Sequence, residues 1–398
     1  MSPPPLGVLF AHAGLGLAPA ADDPAARRAA LVVWSALTEP GDGVAGALLA
    51  GCDPVTAYEL IVASDGVRPA AELADCRVED MRKARERWIP RAEAGLLAGA
   101  LAAARRAGAR LLTPEDRVWP RRVDDLGVHA PLCLWARGDA TLLEASAGAI
   151  AVVGARAATA YGEQVAAELA AGVAAAGGVI VSGAAYGVDA AAHRAALGAE
   201  GTTVAFLAGG CDRLYPAGNA RLLERIAARG VVVAESPCGT APSRWRFLAR
   251  NRIIAAASDA TVVVEAGARS GALNTAHHAA TLGRPLGAVP GPVTSATSIG
   301  AHRLLREADA TCVTCPDEAL ELIGRLTAHA PPLEEWTGDR QRVRDAMSLR
   351  AFRDVAVIAA RSGLAPAQVE AQLGGMLLES AVECDPTGWR LTGGSRRG

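Results

Sequence analysis

Between residues 149 and 289 the chain repeats one pattern: a run of consecutive apolar residues, a glycine-rich loop, then apolar positions at helical spacing. The apolar runs are Ala149–Val153, Val179–Ser182, Thr203–Leu207, Val231–Glu235, Thr261–Glu265 and Leu286–Val289. Helical stretches lie between them at Glu163–Ala176, Ala190–Leu197, Asn219–Ala228, Leu248–Ala257 and Leu273–Leu282. Strands that are apolar at every position, not every second one, are covered on both faces, and alternation with helices implies parallel crossovers. The pattern predicts an α/β fold built on a parallel sheet with helices on both faces.

The flanks read differently. Residues 1–24 are expected to be a disordered start; Gly7–Ala20 has a signal-like apolar core but lacks a basic lead-in and is broken by His12, Gly14 and Gly16. Residues 25–107 read as a small helical domain of the SAM or helix-hairpin kind, with a connecting amphipathic helix from Val78. The α/β domain is expected over 108–329, followed by a linker at 330–339 that holds Pro331-Pro332. From 340 to 398, Phe352–Arg361, a turn at Ser362–Pro366, Ala367–Glu379 and Thr387–Leu391 outline a winged helix.

Composition narrows the chemistry. Lys83 is the only lysine among 40 basic residues, and it lies in a charged helical stretch, so the chain has no phosphate-loop lysine and no Schiff-base lysine. A formal net charge of −2 argues against a general histone-like DNA binder and leaves room for a local basic patch. The eight cysteines show no disulfide framework, which fits a reduced, cytoplasmic setting, and Cys312-Val-Thr-Cys315 stands without a second pair. The alanine-rich runs all carry charges, so no membrane span and no membrane partner are expected.

Ligands of an open parallel sheet collect at the carboxyl ends of the strands. The loop Gly154-Ala-Arg156 precedes Thr159, a good helix N-cap, so its amides and guanidinium suit a phosphate. G-x-G-x-x-G spacing is missing and Ser182 stands where an acid would hold a ribose, which disfavours a dinucleotide site. Ser182, Gly183, Ser270, Gly271, Asn274 and Thr275 offer close backbone approach or hydrogen bonds to an anion, while Asp189 is read as a helix cap. His193, His277 and His278 show no metal-ligand pattern, and Glu265 at a strand end has no identifiable catalytic partner.

The stretch Ser243–Ala255 packs four arginines and two aromatics into thirteen residues without an acid. Arginines follow phosphates and aromatic rings stack on unpaired bases, so the interleaving suits a single nucleic-acid strand.

Taken in order, these segments resemble the DprA/Smf family of DNA-processing proteins. The matching residues include Gly154–Arg156, Thr159, Ser182-Gly183, Gly187–Asp189, Gly209-Gly210, Tyr215-Pro216, Phe247, Arg250–Ala255, Ser270–Ala272 and Thr275, and the resemblance runs from about Arg110 to Gly324. It implies a Rossmann-like domain that binds single-stranded DNA without base specificity, dimerises, and helps load the RecA recombinase, with neither enzymatic activity nor a cofactor. Carried over by position, phosphates would meet Gly154, Arg156, Ser182, Gly183, Arg244, Arg250 and Arg252, with a base on Phe247, and Asn251 belongs to the same DNA-binding set. Tyr186 departs from the family pattern, since many relatives carry arginine there. Two other readings lack their signatures. A phosphoribohydrolase of the lysine-decarboxylase-like type would carry Pro-Gly-Gly-x-Gly-Thr-x-x-Glu, which this chain lacks. A transcriptional sensor would need a basic recognition helix, yet Leu364–Asp385 holds four acids and no basic residue.

Overall fold

A computed structural model describes residues 3–144, 148–325 and 338–392, which fall into two compact units divided between residues 327 and 328. The first unit is built on a sheet of nine strands among the described residues. In chain order these are β1 (Ala109–Leu112), β2 (Leu134–Gly138), β3 (Ala149–Val153), β4 (Val179–Ser182), β5 (Thr202–Leu207), β6 (Val231–Ala234), β7 (Ala260–Val263), β8 (Leu286–Ala288) and β9 (Thr311–Cys312). Their order across the sheet is β1-β2-β6-β5-β4-β3-β7-β8-β9. From β6 to β9 every pairing is parallel, with Ile150 opposite Ile180 and Val152 opposite Val262. The expected parallel sheet therefore carries an addition at one edge: β2 runs antiparallel to β6, and β1 antiparallel to β2.

Helices fill both faces. Among the described residues seven precede the central strands: α1 (Leu6–His12), α2 (Pro24–Leu37), α3 (Gly43–Gly51), α4 (Pro54–Val62), α5 (Val67–Leu73), α6 (Val78–Trp88) and α7 (Leu96–Ala107). Seven more follow: α8 (Ala160–Ala175), α9 (Val188–Gly198), α10 (Ala220–Arg229), α11 (Arg244–Ala256), α12 (Ala272–Thr281), α13 (Ile299–Glu307) and α14 (Pro316–Glu321). Alternate residues of a strand point to opposite faces. Ile150 and Val152 accordingly pack with α8, α9 and α14, whereas Ala149, Ala151 and Val153 pack with α11, α12 and α13. A strand with both faces buried has to be apolar throughout, as this one is.

Two expectations about the flanks are corrected. Residues 6–12 are helical, not disordered: Leu6, Leu9 and Phe10 fall at i, i+3 and i+4 and are fully buried, and Tyr58 Oη donates to Pro4 O at 2.8 Å. The segment 25–107 is not a separate domain either. Its buried Trp34, Tyr58, Met81 and Trp88 belong to one continuous core with Leu207, Leu223, Ile226 and Val232 of the α/β region. Capping explains why so many short helices form there. Asp23, Asp42 and Asp53 each accept the first free amides of α2, α3 and α4, and Pro24 and Pro54 open α2 and α4 without losing a hydrogen bond.

The second unit holds α15 (Gly338–Ala346), α16 (Val355–Ser362), α17 (Pro366–Leu378) and the antiparallel hairpin β10 (Val382–Asp385) and β11 (Gly388–Leu391). Val343, Ile358, Val369, Leu373 and Met376 form its core. Most of the expected linker, residues 330–337, lies outside the described residues, and positions 338–339 already open α15. Arg390 on the hairpin is held by Glu383 and lies over the Phe352 ring, 4.5 Å from its centroid.

Candidate nucleic-acid interface

The sheet reverses its direction of growth at β3. The chain builds β4, β5 and β6 on one side of it, then returns to place β7, β8 and β9 on the other. Loops leaving β3 and β7 therefore diverge to opposite faces and leave a crevice at the carboxyl edge. A cleft of about 830 Å³ lies there. Its walls come from the loops after β3 (Gly154–Ala157) and β7 (Gly267–Gly271), one side of α11 as far as Ile254, the first turn of α12, and a few residues after β4, β5 and β8.

The crevice is braced by Glu265, which explains a carboxylate without a catalytic partner. It accepts Thr159 N at 2.9 Å, Thr159 Oγ1 at 2.7 Å and Thr297 Oγ1 at 3.0 Å, tying the β3 loop to the β7 loop. Thr159 in turn caps α8 by accepting the Gly162 amide at 3.2 Å, as its sequence position predicts. A side chain at Gly162 would drive its Cβ to 2.2 Å from Glu265 Oε2, so glycine is required for the brace to fit. Glu265 is a strut.

Charge in the cleft is lopsided. Its lining carries four arginines, Arg156, Arg244, Arg250 and Arg269, against one carboxylate, Asp189. Asp189 is buried, and that burial holds its carboxyl above the usual range, which weakens even this one negative group. It does not cap α9 as expected. Gly187 occupies the cap position, and Asp189 instead accepts the Ala185 amide at 3.3 Å. Arg250 forms the floor: Nη1 donates to Gly183 O at 2.8 Å and to Phe206 O, and Nε to Asn251 Oδ1 at 3.2 Å. Burial pushes its pKa down to about 10, so the guanidinium stays charged at neutral pH.

Phe247 stands among these cations. The Cζ of exposed Arg156 lies 4.5 Å from its ring centroid, that of Arg250 5.9 Å, and the Tyr215 ring 5.8 Å at a tilt of 56°. A guanidinium over a ring is favourable by cation–π attraction. It also fixes the Arg156 guanidinium on the cleft wall.

Of the residues expected at the site, Gly154, Arg156, Arg244, Phe247, Arg250, Asn251, Ser270, Gly271 and Thr275 converge on the cleft. Four do not line it. Arg252 is only 5% exposed, donates to Glu235 at 2.7 and 2.8 Å and to His129 O at 3.0 Å, and so faces the N-terminal helices. Ser182 is fully buried and donates to Val152 O at 2.7 Å. Gly183 turns its carbonyl to Arg250, and a Cβ there would meet Nη1 at 2.1 Å; its glycine serves packing, not phosphate approach. Asn274 supports Asn251, whose amide lies 3.3 Å from its Oδ1. The structure adds Arg269, Tyr215, Ser243 and Thr297 to the lining. Arg269 stands among small residues in the β7 loop, and no local pattern sets it apart there.

An open α/β fold with an arginine-lined crevice at its topological switch point places the chain in the Rossmann-like class of α/β proteins. A family profile described as DNA recombination-mediator protein A matches residues 110–324. A Mycobacterium tuberculosis chain bearing the DprA name is 49% identical over 304 residues, 72% of this chain and 78% of its own. The DNA processing protein DprA of Bacillus subtilis is 34% identical over 232 residues, 58% of this chain and 77% of its own. The X-ray structure of DprA from Streptococcus pneumoniae superposes with a TM-score of 0.58 at 29% identity, covering 73% of this chain and 95% of that one. The chain belongs to the DprA/Smf family of DNA-processing proteins. Among the described residues no single helix is long and apolar enough to cross a membrane, and no His/Cys/Asp/Glu cluster could hold a metal ion.

Proposed function

We propose that the cleft takes up single-stranded DNA without reading its bases, with phosphates on Arg156, Arg244, Arg250 and Arg269 and a base on Phe247. The observation that carries this reading is the lining itself, four guanidiniums and an aromatic ring against one buried carboxylate. The cleft is in the size range that encloses a small ligand, room for roughly a nucleotide or two, and a ring on its wall can be stacked only by an unpaired base. Neither Glu265, fixed as a strut, nor His193, whose ring lies against Thr203, is free to act as a general base there. The family description and the resemblance support the wider role: a cytoplasmic, homodimeric mediator that helps load RecA onto single strands during recombination and natural transformation.

A gel-shift comparison of oligo-dT with duplex DNA tests the binding. The single strand should be preferred, and Arg156→Glu should weaken every sequence alike. About four cationic contacts imply a log–log salt slope of roughly −3. A slope near zero, or equal affinity for duplex, overturns the reading. The mediator role is tested by the rate at which RecA nucleates on protein-coated single strands with and without this chain.

A further inference from the structure

Trp245 is the aromatic in the arginine-rich stretch that the cleft leaves unused. Its side chain is 59% exposed at the first turn of α11. Of the seven tryptophans, Trp34, Trp88, Trp119 and Trp135 are fully buried, Trp389 is half-buried in the second unit, and Trp336 lies outside the described residues. Trp245 is therefore the one exposed tryptophan among the described residues. Its arginine neighbours differ in availability: Arg246 is paired with Glu39 at 2.9 Å, while Arg244 is exposed and lines the cleft.

Position around the helix decides what Trp245 can reach. At about 100° per residue, the outer face of α11 carries Phe247, Arg244, Leu248 and Trp245 in that angular order, over an arc of about 160°. The first three line the cleft, and Leu248 is itself 40% exposed. Trp245 and Leu248 stand three residues apart and so are surface neighbours. A strand with one base on Phe247 and a phosphate at Arg244 would pass over Leu248 and meet the indole next. The whole ridge from Ser243 to Ala257 contains no acid to repel it.

We propose that Trp245 is a second stacking platform, which receives a base of the strand where it leaves the cleft across the outer turn of α11. The proposal rests on the single-strand reading and extends its footprint beyond the cleft. Stacking on an indole is tolerant of sequence, since every base has a π-face, so the added contact keeps binding non-specific.

The test is a fluorescence and affinity titration of the full chain with oligo-dT of two lengths, using the wild type, Trp245→Phe, Trp245→Ala and Arg156→Glu. Oligomers of about 20 nucleotides should quench wild-type emission, and the quench should vanish in Trp245→Phe, whose ring still stacks and whose affinity stays within about threefold. Trp245→Ala should bind the long oligomer roughly tenfold more weakly, yet bind one of about four nucleotides like the wild type. Its thermal melt should be unchanged. The proposal falls if Trp245→Ala binds both lengths as the wild type does, or if Trp245→Phe keeps the full quench. It also falls if Trp245→Ala alters only self-association in sedimentation, which would mark the indole as a protein contact. Failure of the wild type to bind any oligo-dT would overturn the single-strand reading as well. Retained wild-type binding that Arg156→Glu weakens and Trp245→Ala does not would overturn this proposal alone.

Discussion

Helix α11 has an outer end and an inner end, and the same residue type meets opposite fates at the two. Arg244, in the first turn, is exposed on the cleft rim. Arg252, two turns further in, is 5% exposed and locked to Glu235, whose other duty is to accept the Gly41 amide at 3.2 Å. Arg246 lies between them in sequence and is clamped to Glu39, 207 residues away along the chain. Local sequence makes these arginines look equivalent, yet their partners come from the end of β6 and from the loop between α2 and α3. A guanidinium is available to a ligand only if no carboxylate folded in from elsewhere has already claimed it.

The sharpest way to break this comparison is to delete one arginine from each end. Arg252→Ala leaves the Glu235 carboxylate, 11% exposed, without its cationic partner and should cost about 3 kcal/mol in urea or thermal unfolding, the lower end of what breaking a buried pair costs. Combining Arg252→Met with Glu235→Gln should recover part of that loss, because the stranded charge is gone. Arg244→Ala should stay within about 0.5 kcal/mol of the wild type while weakening oligo-dT binding. Equal melting of the two single variants would show that the inner pair does not anchor the helix.

Buried bases sharpen the contrast further. Arg250 keeps its charge because two carbonyls and an amide oxygen receive it. His193, fully buried, has Nδ1 2.7 Å from Thr203 Oγ1, and burial followed by the nearby Arg250 charge pushes its pKa down to about 3. A base whose folded pKa lies below its ordinary 6.5 takes up protons only on unfolding in that interval. Stability should therefore fall as pH drops from 6.5 towards 3, by up to about 1.4 kcal/mol per unit. Asp189, raised by burial, acts with the opposite sign, so the check is the difference between wild type and His193→Gln across an acid titration. The variant should lose that part of the slope; an unchanged slope would mean that His193 is protonated in the fold.

At the cleft itself the expected effects are smaller. Phe247→Ala should reduce oligo-dT affinity about tenfold and leave the salt slope alone, whereas Arg156→Ala should reduce the slope by about 0.7. Interchanged signatures would exchange the two roles, ring for base and guanidinium for phosphate.

Much of this was legible in the residues. Runs such as Ala149–Val153 and Val231–Ala234, apolar at every position, mark doubly covered strands, and the loops after them mark the crevice. What escaped was either non-local or invisible to apolar periodicity. β1 and β2 are an antiparallel addition whose outer strand is only partly buried, so β1 lacks the apolar signature of the centre. The helix at Leu6–His12 was masked by glycines that follow it, not by any within its buried stripe. Ser182 and Gly183 sit where a phosphate loop is expected, but Val152 O takes the Ser182 hydroxyl and Arg250 takes the Gly183 carbonyl. Helix α11 was expected from Leu248 and begins at Arg244, because Ser243 supplies a cap that apolar periodicity does not register.

That cap is the last place where the two ends can be told apart. Ser243 Oγ accepts the Arg246 amide at 3.3 Å, and Ser243 O receives the Phe247 amide at 3.1 Å. Ser243→Ala removes the side-chain bond only, and loss of such a cap costs about 1 kcal/mol. The inner turns are fixed by Arg250, Arg252 and the apolar Ile253 and Ile254, so the loss should stay within the first turn. Amide hydrogen exchange should quicken at Arg244–Phe247 and remain slow beyond Ala249, with the global melt nearly unchanged. Oligo-dT affinity should drop a few-fold, because Arg244 and Phe247 would be presented from a frayed turn. Faster exchange along the whole helix would mean that α11 unfolds as one unit and that its two ends are not independent.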